Sequence, residues 1–444
     1  MKVRFVTLGC KLNFAESSAL GRELLARGHQ KALQSEVPDV CVVNTCSVTD
    51  AADHKDRQAI NQLHRKYPNA IIIVTGCYAQ LQPEQVSEIE GVDYVLGQNE
   101  KYDITQLVDE LEQLRNRLED GVPPSEHSPS ELQFKDKVYV CAIREVDEFH
   151  GVHSGDDRTR CFIKVQDGCN YFCTYCTIPY ARGKSRNPLI SEVVEDAQKA
   201  IQDGAKELIL TGVNIGDFGR STGETFFDLL KALDDLGDEA MRREARDMDY
   251  RVRISSCEPN LLTDEIIDFV AQSKHFAPHF HIPLQSGSNE VLKIMGRRYT
   301  RELFAERVRH IKEVRPHAFI GVDCMVGVRG ETEAYWEDYL AFIKQLDVSQ
   351  LHVFTYSERA NTRMLEMDLY VVPKAERQRR SKILHEVSEE KTKAFYAQHA
   401  GRKAVVLWES KKEGDQMAGF TDNYIKVYGP YNKAKINTFE EILL

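Results

Sequence analysis

The segment Asp167–Cys176, DGCNYFCTYC, sets Cys169, Cys173 and Cys176 at the spacing C-x3-C-x2-C. Structural zinc closes its coordination with four protein ligands, and no further His or Cys lies nearby at the customary spacing. A cubane iron–sulfur cluster takes one thiolate per iron, so three cysteines leave one iron bare. The spacing reads as a cluster with one corner kept open for a small chelating molecule. A second trio, Cys10, Cys46 and Cys77, is spread over the first hundred or so residues, each member directly after Gly9, Thr45 or Gly76. One such cysteine alone is most simply a small buried hydrophobe. Three at the same place in three successive units point to a shared metal site.

The elements that must position these thiols follow from hydrophobic periodicity. KVRFVTLGC, VPDVCVVNTC and NAIIIVTGC each read as a strand ending in a cysteine, with helical stretches between them. That alternation predicts β-α-β units and a parallel sheet. The cysteines sit past the C-terminal strand ends, where open α/β sheets bind ligands. Cys41 falls inside its strand and reads as core. From Thr159 the rhythm repeats six times, with strands CFIKVQ, ELILTG, RVRISS, HFHIPL, AFIGVDCMVG and LHVFTYS. Six units predict a partial barrel, short of the eight that close one. DGCNYFCTYC begins just after the first of these strands, at the end where such folds place their chemistry.

The remaining segments complete an α/β chain of several domains. The expected boundaries are 1–115 for the N-terminal parallel α/β domain, 116–158 for a connecting segment, 159–372 for the partial (β/α)6 barrel, and 373–444 for a linking helix and a small β-domain. EDGVPPSEHSPSE (119–131) is polar and proline-rich, as a linker is, and YVCAIREV reads as a strand leading toward the second domain. A long charged helix is expected over Pro373–Ala400. GRKAVVLWESKKEGDQMAGFTDNYIKVYGP then alternates apolar and polar residues with turn formers between, the pattern of a small β-barrel. Basic residues outnumber acidic ones over 376–444, although the whole chain carries −11. Small β-barrels often serve as nucleic-acid modules, and a plain structural cap is the alternative.

Composition bounds the class. With 444 residues, 42% hydrophobic and 29% charged, the chain is that of a soluble globular protein with enough apolar material for proper cores. No apolar run approaches a membrane span; the longest candidate is AIIIV at Ala70–Val74. MKVRFVTLGC lacks the apolar core of a signal peptide, so a cytoplasmic location is expected. The 11 cysteines are then metal-binding or catalytic residues rather than disulfide partners. Cys141, Cys161, Cys257 and Cys324 carry no assigned role.

The C-x3-C-x2-C stretch, with Tyr175 before its last cysteine, resembles the signature of the radical S-adenosylmethionine (SAM) enzymes. That resemblance implies that the amino and carboxylate groups of SAM occupy the bare iron, and that an electron from the cluster cleaves the sulfonium to a 5′-deoxyadenosyl radical. TLGCKLNFAES, VVNTCSVTD and VTGCYAQ, together with VQDGCNYFCTYCTIPYARGKSR, look like the methylthiotransferases over essentially the whole chain. LTGVNIGDFG, HFHIPLQSGSNEVLKIM and YSERANTR resemble the branch that converts N6-threonylcarbamoyladenosine in tRNA, next to the anticodon, to its 2-methylthio form. Sibling branches act on isopentenyladenosine in tRNA or on an aspartate of a ribosomal protein.

The resemblance implies two [4Fe–4S] clusters, with Cys10, Cys46 and Cys77 holding the one that carries the sulfur. It implies a terminal RNA-binding domain of the TRAM type, and no catalytic residues beyond the cluster ligands. It further implies reduced flavodoxin or ferredoxin as electron donor, a tRNA partner, no membrane, and a monomer. Two other readings stay open. One is a radical SAM enzyme whose N-terminal cysteines are structural. The other is a non-catalytic iron–sulfur protein that binds RNA as a sensor. One departure from the family pattern is VRGET (Val328–Thr332), where a Phe-Pro-Gly-Glu-Thr turn is usual. Loss of the proline frees one φ, and Arg329 adds a charge that could meet RNA.

Candidate SAM contacts follow from the strand ends. Gly212 and Asn214 end the second barrel strand, Ser255 and Ser256 end the third, Gln285 and Ser286 follow the fourth, and Phe354 lies on the sixth. Each is equally readable as a turn or packing residue. Arg298, in MGRRYTRE, has the planar fork to pair with the SAM carboxylate, or sits on a solvated helix face.

Overall fold

The computed structural model describes residues 1–120, 134–155, 159–236 and 250–444. Most of the proline-rich stretch read as a linker, 121–131, lies outside these residues. The chain divides into two compact units. One comprises Met1–Glu148, Val152–Gly155 and Thr177–Lys184; the other Phe149–Gly151, Asp156–Cys176 and Ser185–Leu444. Among the described residues no helix is long and apolar enough to cross a membrane.

The first unit is a parallel sheet of β1 (Lys2–Thr7), β2 (Gln30–Lys31), β3 (Val40–Thr45), β4 (Ile71–Gly76), β5 (Tyr94–Leu96) and β6 (Val138–Tyr139), in the order β2-β1-β3-β4-β5-β6. Central β3, VCVVNT, is buried along its whole length, because helices cover both faces. Cys41 and Val43 face Ile60 and Leu63 of helix Asp50–Lys66. Val40 and Val42 face Leu20 and Leu24 of helix Lys11–Ala26 and Leu107 of helix Ile104–Glu119. Cys41 is thus core, as its position inside the strand implies. YVCAIREV departs from its expected strand. Only Val138–Tyr139 pairs, with β5, and a 3-10 turn follows at Ile143–Glu145. The Cys141 N–H is taken by Glu100 Oε1 at 3.1 Å, which ends the ladder.

The second unit carries the six expected barrel strands. They are β7 (Arg160–Lys164), β8 (Glu207–Thr211), β9 (Arg251–Ile254), β10 (His279–Gln285), β11 (Phe319–Val326) and β12 (Gln350–Thr355). They form two parallel sheets, β7-β8-β9 and β10-β11-β12, linked by the bridges Val252↔Phe276 and Ser256↔His281. One core runs beneath all six, from Ile163 and Leu210 to Ile320 and Leu351. Thr225, Thr263, Thr300 and Thr332 each cap the helix that follows by accepting a backbone N–H. The VRGET turn is intact, with Thr332 as the cap. Buried Glu331 is 2.6 Å from Arg380, and Arg329 is engaged by Glu358 at 2.8 Å.

Helix Lys374–Gln398 lies along β12, where the Ser388 hydroxyl donates to the Leu351 carbonyl and accepts the Leu351 N–H. The chain ends in an antiparallel sheet ordered β15-β14-β13-β16, from β13 (Lys403–Glu413), β14 (Gln416–Thr421), β15 (Lys426–Pro430) and β16 (Phe439–Leu443). Arg251 and Arg253 dock it by donating to the carbonyls of Phe420 and Asp422. Both arginines also pair with fully buried Glu207. Burial works to raise the Glu207 pKa, but the two guanidiniums hold it below the usual carboxylate range.

Candidate metal centres

In the first unit the turn after β1 and the ends of β3 and β4 bring Cys10, Cys46 and Cys77 together. Gly9 (φ +93°) lies against Cys46: an added Cβ would sit 2.6 Å from its Cβ and 3.0 Å from its sulfur. Gly76 (φ +97°) leaves no room either, with the Thr45 carbonyl oxygen 2.4 Å from where a Cβ would be. The thiols are held by polar neighbours. Asn13 donates to the carbonyls of Leu8 and Thr45, and its Oδ1 lies 3.6 Å from the Cys10 sulfur. Gln98 Nε2 approaches the Cys77 sulfur at 3.6 Å, and the Cys46 N–H donates to Asp56.

The electrostatics are those of thiols awaiting a cation. Burial, then the Cys77 and Cys10 thiols, push Cys46 up to about 12. Burial also raises Cys77, against the opposing charges of Arg182 and Lys101. Burial takes Asp56 up to about 8. A bound metal centre removes the cost of adjacent thiolates at buried Cys46 and Cys77 and exposed Cys10, since metal ligation deprotonates thiols. Among the described residues no group of three His, Cys, Asp or Glu side chains closes around a single ion. The donor set fits a group ligated only by sulfur.

In the second unit the loop after β7 carries Cys169, Cys173 and Cys176. Gln166 ties the loop down. Its amide donates to the carbonyls of Asp167 and Gly168 and to Ser185, while its Oε1 accepts the N–H groups of Val213 and Asn214 beyond β8. Thr174 binds the carbonyls of Ile294 and Met295 through its hydroxyl and N–H. The Tyr171 N–H donates to the Cys169 sulfur at 3.4 Å. Arg297 donates to the Cys173 sulfur at 3.2 Å and to the Tyr175 hydroxyl at 3.4 Å, and pairs with Glu258. Burial, then Cys173, push Cys169 up to about 12. Burial raises Cys173 too, with Arg297 working against it.

The structure separates the residues read as SAM contacts. Gly212 and Asn214 follow β8 beside the cysteine loop. Asn214 is buried with both amide atoms outside hydrogen-bonding geometry, although the Tyr171 phenol lies beside it. Gln285 (φ +63°) ends β10 with Oε1 buried and unpartnered. Ser255 instead donates to the Leu210 carbonyl at 2.6 Å, and the Ser286 hydroxyl accepts the Ser288 N–H. Ser256 is half-buried in its bridge to His281. Tyr175 packs with Val291 and Met295. Arg298 is exposed, donating to the Asn170 carbonyl and lying over the Tyr171 ring at 4.0 Å. Phe354, 44% exposed, lines an open cavity of about 570 Å³ with His352 and His385. Sequence reasoning missed Gln166, Arg297 and Glu258. The pair RR in MGRRYT was a signal for Arg297, but only the fold shows that Arg297 meets the Cys173 sulfur while Arg298 meets the Asn170 carbonyl.

Comparison with known proteins matches residues 163–343 to the radical SAM superfamily and residues 2–97 to "Uncharacterized protein family UPF0004". The threonylcarbamoyladenosine tRNA methylthiotransferase MtaB of Bacillus subtilis is 36% identical over 431 residues, 96% of this chain and 89% of that protein. Its Aquifex aeolicus counterpart is 34% identical, with 96% of each chain covered. This chain belongs to the threonylcarbamoyladenosine tRNA methylthiotransferase family. Among solved structures, the radical SAM methyltransferase TsrM of Kitasatospora setae matches 80% of this chain and 72% of its own, at a TM-score of 0.53 and 15% identity. That similarity is one of fold. The two matched segments of the methylthiotransferase chain each contain one thiol trio.

Proposed function

We propose that this protein adds a methylthio group at C2 of N6-threonylcarbamoyladenosine in tRNA, consuming SAM. One observation carries the reading: two separate trios of thiols, one at the strand ends of the N-terminal sheet and one in the loop after β7, in a chain aligned over 96% of its length with proteins named for that reaction. Loaded with two [4Fe–4S] clusters and SAM, the chain has a source of a carbon-centred radical at one trio and of sulfur at the other.

The residues divide the work. Cys169, Cys173 and Cys176 hold the SAM-binding cluster, and Cys10, Cys46 and Cys77 the sulfur-bearing one. Arg297 steadies the Cys173 thiolate with a charged hydrogen bond. Asn214 and Gln285 offer unpaired amide atoms to the polar groups of SAM. Ser255, donating to the Leu210 carbonyl, and Ser286, accepting the Ser288 N–H, fix the strand ends beside them. Arg298 orders the cysteine loop through Asn170, and Phe354 offers an exposed ring in the cavity it lines with His352 and His385. The four-stranded C-terminal sheet, with exposed Tyr428 and a basic balance, holds tRNA. The protein acts as a cytoplasmic monomer, reduced by flavodoxin or ferredoxin one electron at a time.

Nucleoside analysis of tRNA from cells lacking the gene tests this. The expected result is loss of the 2-methylthio nucleoside with accumulation of N6-threonylcarbamoyladenosine, restored by the wild-type gene. An unchanged profile overturns the reading, and loss of the isopentenyl derivative instead reassigns the substrate.

A further inference from the structure

The chain directly after Cys176, TIPYARGK, belongs to the first unit. Thr177 donates to the Ser47 carbonyl at 3.4 Å, next to Cys46, and the short helix Ile178–Arg182 ends at Gly183. Its last residue, Arg182, is 1% exposed. One guanidinium nitrogen lies 3.1 Å from Glu16, and the other donates to Asn13 Oδ1 at 2.7 Å. The same Oδ1 is the neighbour of the Cys10 sulfur. Lys101, equally buried, reaches Glu16 at 2.7 Å and donates to Gln98 Oε1 at 2.6 Å. Gln98 in turn approaches the Cys77 sulfur. Two buried cations therefore share one buried carboxylate, and the two amides that bind them, Asn13 and Gln98, each also approach a thiol of the trio.

A buried charge left over from its ion pair is costly unless an anion lies close. Three thiolates around an iron–sulfur core are such an anion. We infer that Arg182 is a positioning residue of the N-terminal trio, holding a fixed positive charge against the group ligated by Cys10, Cys46 and Cys77. The inference rests on the reading that this trio carries a [4Fe–4S] cluster. Glu16 sets how much of the charge is felt: it offsets part of Arg182 and Lys101, and the remainder favours the more negative, one-electron-reduced cluster.

The test uses the full chain with Cys169, Cys173 and Cys176 replaced by alanine, reconstituted with ferrous iron and sulfide and titrated with dithionite under EPR. Only the N-terminal cluster then reports. Arg182→Gln is expected to shift the one-electron equilibrium at least tenfold toward the oxidised state, a fall of about 59 mV. Arg182→Lys keeps the charge and stays near the reference. Glu16→Gln shifts the potential the opposite way, which a purely structural role does not produce. If Arg182→Gln takes up no iron, Glu16→Gln decides alone: a raised potential supports the inference and an unmoved one overturns it. Unmoved potentials in variants that hold iron, or shifts of the same sign, also overturn it. No cluster in the reference chain overturns the parent reading as well, whereas a cluster with an unmoved potential overturns this inference alone.

Discussion

Arg297 reaches the sulfur of Cys173 at 3.2 Å while its other guanidinium arm pairs with Glu258. Glu258 is largely buried, with 14% of its side chain exposed, and burial raises its pKa against the pull of Arg297. The arginine thus neutralises one buried anion and donates to a second that exists only when the thiol is ligated. A metal ligand held by an outer donor loses orientation when that donor is removed.

Arg297→Met should therefore do two things. It strands Glu258, at a cost of about 3 kcal/mol to the second unit, and it lowers 5′-deoxyadenosine formation by ~10-fold or more. Arg297→Met/Glu258→Leu should recover most of the stability and none of the activity. Thermal unfolding beside a single-turnover assay reads both. Recovery of activity in the double variant shows that Glu258, not the sulfur contact, was what Arg297 served.

Replacing Cys46 with alanine separates the two trios. Iron and sulfide should fall by about half. SAM cleavage should persist while methylthio insertion is lost. Gly9→Ala should copy this result without removing a thiol, since its Cβ meets the Cys46 Cβ at 2.6 Å and its φ is +93°. Strain of this kind is worth about 1–3 kcal/mol. Full iron content in Gly9→Ala, measured with unchanged circular dichroism, counts against a tight N-terminal site.

Legibility in the sequence tracked the range of the interactions. The β-α alternation is local, so all six barrel strands and the strand-end placement of both trios could be read directly. The C-terminal β-domain was visible as alternation over 401–430, but the last strand, β16, and the register shift between Trp408 and Lys412 were not. Arg182 met Glu16 and Lys101 only through folding, and nothing in TIPYARGK announces a partner in the first helix. The strand-end serines misled for a related reason. Their position was read correctly, yet Ser255 spends its hydroxyl on the Leu210 carbonyl. The end of β6 was lost to Glu100, a side chain far off in sequence.

Acid should weaken the second unit through His317. Burial first, then Arg402 and Arg315, push its pKa down to about 4, below the ordinary imidazole value. Below pH 6.5 the unfolded chain takes up a proton that the folded chain refuses. Stability present above that pH is lost as pH falls toward 4. With partial exposure discounted, the loss is about 2 kcal/mol. His317→Gln should flatten this part of the profile. Denaturant unfolding between pH 7 and pH 4.5, wild type against variant, measures it, and parallel profiles refute the assignment.

The VRGET turn supplies the last test, because its two charges have different surroundings. Glu331 is fully buried against Arg380, which also binds Glu333 and Glu376. Arg329 is near the surface and held by Glu358 through two nitrogens, at 3.0 and 2.8 Å. Glu331→Ala should cost about 3 kcal/mol, since Arg380 loses its one fully buried partner. Arg329→Gln should leave tRNA affinity within about twofold, because Glu358 already offsets its charge toward phosphates. Fluorescence anisotropy with labelled tRNA at two salt concentrations distinguishes the cases. A tenfold loss of affinity with a shallower salt slope in Arg329→Gln shows instead that tRNA displaces Glu358 and takes the arginine for itself.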